Sequence, residues 1–160
     1  MNIDYPGFLN RFIEKIEEKG IDVSGLEMDH IAYRASSKEE YEMMKTEFMK
    51  EGDLVDDAIV DGRRVAIYKL RHPIYFRNYL IPALELIEPK AGQTVTSGLE
   101  HAEFVLKVPF SEFMDKYPDL PWDTTTMDRK DFPHLKLKLD ENMVVKFHPK
   151  SILEMKTIDS

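Results

Sequence analysis

The sequence predicts an α+β domain built from two βαβββ modules behind an extra N-terminal helix. Three observations predict it. A strand–helix–three-strand order occurs twice along the 160 residues. Each copy opens on an acid followed by a histidine, Asp29-His30 and Glu100-His101. The composition, 42% apolar and 32% charged, is that of a chain that folds around a core.

Tyr5, Phe8, Leu9, Phe12, Ile13 and Ile16 recur at helical spacing, and Gly20 is placed to end that helix. Residues 1–25 are this helix and its connector, with Ser24-Gly25 as the turn. The first module spans 26–90 and starts with a strand at 30–35. Ser37 and Glu40 resemble a capping box, Tyr41, Met44 and Phe48 give the next helix its apolar side, and Gly52 can stop it. Asp61-Gly62 is a hairpin turn between 58–60 and 65–68. A less regular stretch over 71–81 leads to a strand at 82–88, and the small, polar residues 91–98 read as a linker.

The second module, 99–149, repeats the order. His101 to Val108 is a strand. Phe110, Phe113, Met114 and Tyr117 mark a short helix stopped by Pro118. A strand is expected at 122–127. Leu135, Leu137 and Leu139 alternate with Lys136 and Lys138, Asp140-Glu141-Asn142 turns the chain, and Met143 to Phe147 is the last strand. The tail, 150–160, carries a short helix at about 151–156 that closes a single domain.

Composition narrows the function classes. Thirty acidic residues against 22 basic ones argue against general nucleic-acid binding, which needs a basic surface. With no cysteine there are no disulfides, thiol nucleophiles or Cys-type zinc sites. The start carries Asp4, Glu14, Glu17 and Glu18 with no apolar stretch, which does not read as a signal peptide. No apolar run approaches the ~20 residues that span a bilayer. The expectation is a cytoplasmic protein with a small-molecule ligand and neither nucleic-acid nor membrane partners. No Gly-rich phosphate loop or G-x-S-x-G elbow supports nucleotide or serine hydrolysis.

Strand alternation gathers the chemistry. His30, Ala32 and Arg34 share one side, as do Ala83, Glu85 and Ile87; His101, Glu103 and Val105; and Val144, Lys146 and His148. Turned inward, these sides bury charges that must be paired or metal-bound. His30 and His101 are either ligands or core histidines hydrogen-bonded to Asp29 and Glu100. Glu103 and Lys146 either act on a substrate or pair with each other. Arg34 either holds a carboxylate or phosphate, for which its planar fork is suited, or balances Glu85 or Glu103. Arg63 and Lys69 have opposite parity to Arg64 and Tyr68, so one pair faces solvent. His134 reads as a surface residue and His72 as a loop residue.

The runs DHIAYR at 29–34, ALELIEP at 83–89 and EHAEFVL at 100–106 resemble metal-binding positions of the vicinal oxygen chelate superfamily. Its members include glyoxalase I, extradiol dioxygenases and bleomycin-resistance proteins. The ending VVKFHP at 144–149 and the hairpin around Asp61-Gly62-Arg63 are closer to its YecM-like branch, and the resemblance covers roughly residues 25–155. It implies a divalent cation (Zn²⁺, Ni²⁺, Mn²⁺ or Fe²⁺) on His30, Glu85 and His101. The fourth superfamily position falls on Lys146, whose ammonium cannot ligate. His148 is the candidate fourth ligand; otherwise water completes an open site. The resemblance implies a metal-dependent isomerase, lyase or dioxygenase, or an enzyme-like protein, acting on vicinal oxygens of a small molecule. Glu103 is then the candidate base, with Arg34 and Lys146 as substrate-binding charges. The alternative is a non-catalytic protein that sequesters a ligand. A homodimer is common in the superfamily, whereas the extra helix can cover an edge and leave a monomer.

Overall fold

The computed structural model describes residues 3–158. Helix α1 (Tyr5–Glu18) starts where the Asp4 carboxylate accepts a hydrogen bond from the Gly7 N–H, and it buries Phe8, Leu9, Phe12, Ile13 and Ile16. There follow β1 (Glu27–Arg34), α2 (Lys38–Met49), β2 (Gly52–Val60), β3 (Arg63–Phe76) and β4 (Tyr79–Ile87). The second half holds β5 (Gly98–Val105), α3 (Phe110–Lys116), β6 (Leu135–Lys138), β7 (Val144–His148) and α4 (Ile152–Ile158).

All seven strands form one sheet in the order β2-β3-β4-β1-β5-β7-β6. In each half the first strand pairs in parallel with the last, β1 with β4 and β5 with β7. The halves meet where β1 and β5 pair antiparallel. The two modules are therefore related by a pseudo-twofold axis, and their opening strands lie side by side at the centre.

The two sides of the sheet differ. On one, Met28, Ile31, Tyr68, Leu84, Phe104 and Phe147 join apolar residues of α1, α2 and α3 in the main core. Burying each such side chain contributes about 1.5–3 kcal/mol. On the other, Ile67, Ala83 and Ile152 form a small cluster with Val65 and Leu153 packed against it, so α4 packs there, beside the buried polar residues His30, His101, Glu103 and His148. Among the described residues no helix is long and apolar enough to cross a membrane.

Several elements depart from the sequence reading. Strand β1 begins at Glu27. Gly52 opens β2 instead of ending α2, and a Cβ there would sit 2.3 Å from the Lys69 carbonyl oxygen, so only glycine fits. The irregular 71–81 stretch is a long hairpin. Its ladder slips between Lys69 and Ile74, where Pro73 withdraws an N–H. At its tip Arg77 reaches Glu17 and Asn10 of α1, at 3.2 and 3.1 Å. The expected strand at 122–127 reduces to one bridge, Asp123 with Lys136. The Asp123 carboxylate accepts from the N–H and hydroxyl of Thr125 at 3.0 and 2.6 Å, which turns the chain out of the sheet.

Candidate metal centre

The β1–β5 ladder slips twice. Met28 faces Phe104 but His30 faces Glu103, so Asp29 is an extra residue on β1. Ala32 faces His101 but Tyr33 faces Leu99, so Glu100 is an extra residue on β5. Each slip is a bulge, and a bulge re-aims the side chain it inserts. Strict alternation would send both acids to the side opposite their histidines. Instead Asp29 Oδ2 lies 3.1 Å from His30 Nδ1, and Glu100 Oε1 lies 2.9 Å from His101 Nδ1.

With Nδ1 engaged, each ring turns Nε2 toward a shared point. Glu103 Oε2 is 2.9 Å from His30 Nε2 and 3.1 Å from His101 Nε2. Glu85 approaches the same nitrogens at 3.9 and 3.6 Å. One donor atom from each of His30, Glu85, His101 and Glu103 lies within 4.8 Å of all the others. Two imidazoles and two carboxylates make a mixed N/O set that suits a divalent transition metal. An Nδ1–H donated to a carboxylate fixes the tautomer whose Nε2 lone pair is free to ligate.

The electrostatics describe a strongly negative site. Burial opposes charge on His30, yet Asp29 and Glu103 outweigh it and hold its pKa well above the ordinary range. Burial and Lys146 both lower His101, but Glu100 and Glu103 leave it raised. Burial also opposes the Glu103 carboxylate, and His30, His101 and Lys146 nonetheless hold its pKa well below normal. Glu100 is held at about 2, against burial, by His101, Arg34 and Lys146. A cation at this point would compete with protons for the same imidazoles.

The residues singled out from sequence fall into distinct places. His30, Glu85 and His101 come together. Glu103, read as a base, stands among them as a fourth donor. His148 is not in that foursome but forms a second donor group with Asp29 and His30: its Nε2 is 2.8 Å from Asp29 Oδ1, and its Nδ1 is 3.9 Å from Glu103. Asp29 also accepts from the Ile152 N–H at 2.7 Å, so it ties His30, His148 and α4 together. Arg34 pairs with Glu100 at 2.9 Å, not with Glu85 or Glu103, and it does not line the cavity. Lys146 does line it, and of the two roles open from sequence the pair with Glu103 is not made: among the described residues the ion-pair partners of Glu85 and Glu103 are histidines.

A cavity of about 570 Å³ opens above this cluster, with His30, Glu85, Glu103, Lys146 and His148 in its lining. Its walls come from the β2–β3 hairpin, from Ile152 and Met155 of α4, and from the loop carrying Arg129, Phe132 and His134. Arg129 crosses to Asp61 at 3.7 Å and links that loop to the hairpin. Phe132 adopts a left-handed backbone, φ 56°, costly for a bulky residue and frequent at ligand sites. His134, read as a surface residue, is half-buried in this wall; burial lowers its pKa, and its Nδ1 lies 2.9 Å from the Phe132 carbonyl. Arg63, whose orientation the parity of β3 left open, faces the cavity as well.

The family model described as YecM protein matches residues 1–144. An uncharacterized protein of Haemophilus influenzae is 30% identical over 106 residues, 66% of this chain and 56% of its own length. Protein YecM of Escherichia coli K12 is 27% identical over 103 residues, 64% of this chain and 55% of its own. The matches thus span about half the length of these two relatives. A solved structure described as Protein EC4020 superposes with a TM-score of 0.81 at 25% identity, covering 98% of this chain and 90% of that one. Streptomyces coelicolor methylmalonyl-CoA epimerase in complex with 2-nitronate-propionyl-CoA shares the fold alone. Its TM-score is 0.54 at 13% identity, covering 76% of this chain and 95% of that one. The fold is that of the vicinal oxygen chelate proteins.

Proposed function

This chain belongs to the YecM family, and we propose that it is a metal-dependent small-molecule enzyme or enzyme-like protein. The divalent cation would be held by His30, Glu85, His101 and Glu103. One observation carries this reading: four donor atoms converge within 4.8 Å, and the far nitrogen of each imidazole is fixed by the acid of a bulge. Bound there, a Zn²⁺, Ni²⁺, Mn²⁺ or Fe²⁺ ion supplies Lewis acidity to vicinal oxygens of a substrate.

The chain's own residues do the rest. Asp29 and Glu100 orient the two imidazoles. Lys146, without an ion pair among the described residues and facing the cavity, would attract an anionic oxygen of the substrate toward the cluster. His148 lines the cavity, its Nδ1 3.9 Å from Glu103, and is the group placed to take or return a substrate proton, while Glu103 stands among the metal donors. The reaction class is that of an isomerase, lyase or dioxygenase. A solved protein of the same fold is described as a methylmalonyl-CoA epimerase, which is in keeping with the isomerase reading. Lys146 favours a second reading, a protein that sequesters an anion without turnover, because a free ammonium in a cavity binds without reacting.

Elemental analysis of protein purified without chelator separates the readings, since the enzyme should retain about one metal per chain. Calorimetry with Zn²⁺, Ni²⁺ and Mn²⁺ on wild type, His30→Ala and His101→Ala then locates the ion. Stoichiometric binding should disappear in both variants while circular dichroism shows a folded chain. Tight binding retained in both would overturn the assignment.

A further inference from the structure

The cavity carries more positive charge than the metal reading uses. On β3, Arg63, Val65 and Ile67 share the side that lines it, and Ile67 pairs with Glu85 of β4. Arg63 thus stands ~13–14 Å along the strand from the level of the metal ligands. Its Nε is buried without a hydrogen-bond partner, and Arg63 makes no ion pair among the described residues. Lys90 lines the same end and is likewise unpaired there. The contrast is with Arg129 and Lys136 in the opposite wall, which lie 3.7 Å from Asp61 and 3.9 Å from Asp123. Asp56, Asp61 and Asp131 share the lining, yet Arg63 itself makes no ion pair among the described residues, and a half-buried guanidinium so placed is a candidate site for an anion, because its planar fork matches carboxylate and phosphate. Between Arg63 and Glu85 the wall is apolar, formed by Val65, Ile67 and Ile87.

We propose that the cavity takes a small organic acid with two polar ends. Vicinal oxygens face the His30–Glu85–His101–Glu103 cluster, an apolar middle lies over Val65, Ile67 and Ile87, and a second anionic group, carboxylate or phosphate, sits on Arg63 beside Lys90. This rests on the metal reading. The ~13–14 Å separation, less the reach of the guanidinium, leaves roughly four to six bonds between the two ends.

The test uses Ni²⁺-loaded protein and two probes of equal carbon number, 2-hydroxyadipate and 2-hydroxyhexanoate, which differ only in the second carboxylate. Calorimetry should show the dianion binding at least about tenfold tighter to wild type, the effect of one charge-assisted contact. Arg63→Gln should erase that preference while leaving Ni²⁺ and 2-hydroxyhexanoate affinities unchanged. Arg63→Lys, which keeps the charge and loses the fork, should retain part of it. Should Arg63→Gln fail to fold, Arg63→Lys and the fall of the preference with added salt decide. A phosphate-ended 2-hydroxy acid of similar length distinguishes the two kinds of anion. Equal affinity of the two acids for wild type, or a preference that survives both substitutions, overturns the proposal. A wild type that binds no Ni²⁺ sinks the metal reading beneath it as well; Ni²⁺ binding without preference sinks this inference alone.

Discussion

The two halves of the sheet share a frame and differ in what they place on it. Both open on an acid–histidine pair, and both carry the acid on a bulge that turns it back to its own histidine. They part at two equivalent points. Two residues beyond the histidine, the first half has Ala32 and the second Glu103. On the paired last strand, the first half has Glu85 and the second Lys146. The carboxylates thus exchange places across the pseudo-twofold: each half supplies one, from a different strand. The duplicated frame makes the site symmetric in position, and these exchanges make it asymmetric in charge, with both carboxylates near the histidines and one free ammonium at the side.

The support beneath the histidines offers the hardest test of this equivalence. Asp29 is fully buried and holds His30, His148 and the Ile152 N–H, whereas Glu100 is partly exposed and holds His101 and Arg34. Asp29→Asn should cost about 2–4 kcal/mol of stability, because it strips charge from several buried hydrogen bonds. Glu100→Gln should cost about 0.5–1.5 kcal/mol, since solvent screens its partners. Urea melts of the two metal-free variants measure the gap, and equal losses would mean that the half-specific packing around Asp29 adds nothing.

For metal affinity the halves should behave alike. Each acid fixes one ligand's tautomer, and removing such a support typically costs 10–100-fold. Calorimetry with Ni²⁺ on Asp29→Asn and Glu100→Gln should give losses within that range for both. A loss confined to one variant would show that only one histidine ligates.

Much of this arrangement was legible in the sequence. Element order, the repeated acid–histidine pair and the inward side of β4 and β5 follow from local periodicity. What was not legible depends on partners distant in the chain. The bulges at Asp29 and Glu100 arise from register between β1 and β5, which neither strand states alone. His148 reads as a candidate fourth ligand, and the contact that places it against Asp29, in a second donor group with His30, requires that bulge. Residues 122–127 carry β-forming residues, but Asp123 bonds its own chain at Thr125 and ends the pairing. On β3 the pattern could not choose between Arg63 and Arg64, because both sides of that strand are lined: one by the cavity, the other by Tyr41, Glu42 and Glu88.

That second side gives a charge cluster whose acid has no counterpart at the equivalent position of the other half. Glu88 accepts from the Arg64 N–H, Nε and Nη2 at 3.1, 3.0 and 2.6 Å, while the position equivalent to Glu88 in the second half is Pro149. The bonds from Arg64 hold the Glu88 pKa below its ordinary value of 4.5. A carboxylate depressed on folding stabilises above its unfolded pKa and loses that contribution as pH falls through the folded value. Wild type should therefore exceed Glu88→Gln by about 1–2 kcal/mol at neutral pH. The gap should narrow from about pH 4.5 downward and close as pH falls through the lowered folded value. A gap independent of pH would mean that packing, not charge, links β3 to the end of β4.

The smallest effect on stability is expected at the point where the halves differ most. Had Lys146 been paired with Glu103, removing it would strand a buried carboxylate at a cost of about 3–5 kcal/mol. Its ammonium instead stands apart, and both carboxylates already have histidine partners. Lys146→Met keeps most of the aliphatic stem, so stability should change by no more than about 0.5 kcal/mol. The charge still acts at a distance, since it helps to lower Glu103 and opposes protonation of His101. A cation at the cluster feels the same field. Removing the ammonium should therefore tighten Ni²⁺ by a few-fold, and weaken any anion drawn into the cavity beside the cluster. Thermal melts with and without Ni²⁺ separate these effects: an unchanged melting temperature without metal and a larger metal-induced rise in Lys146→Met. If the variant instead melts well below wild type without metal, Lys146 is the counter-charge of the cluster, and the two halves are balanced rather than divided in charge.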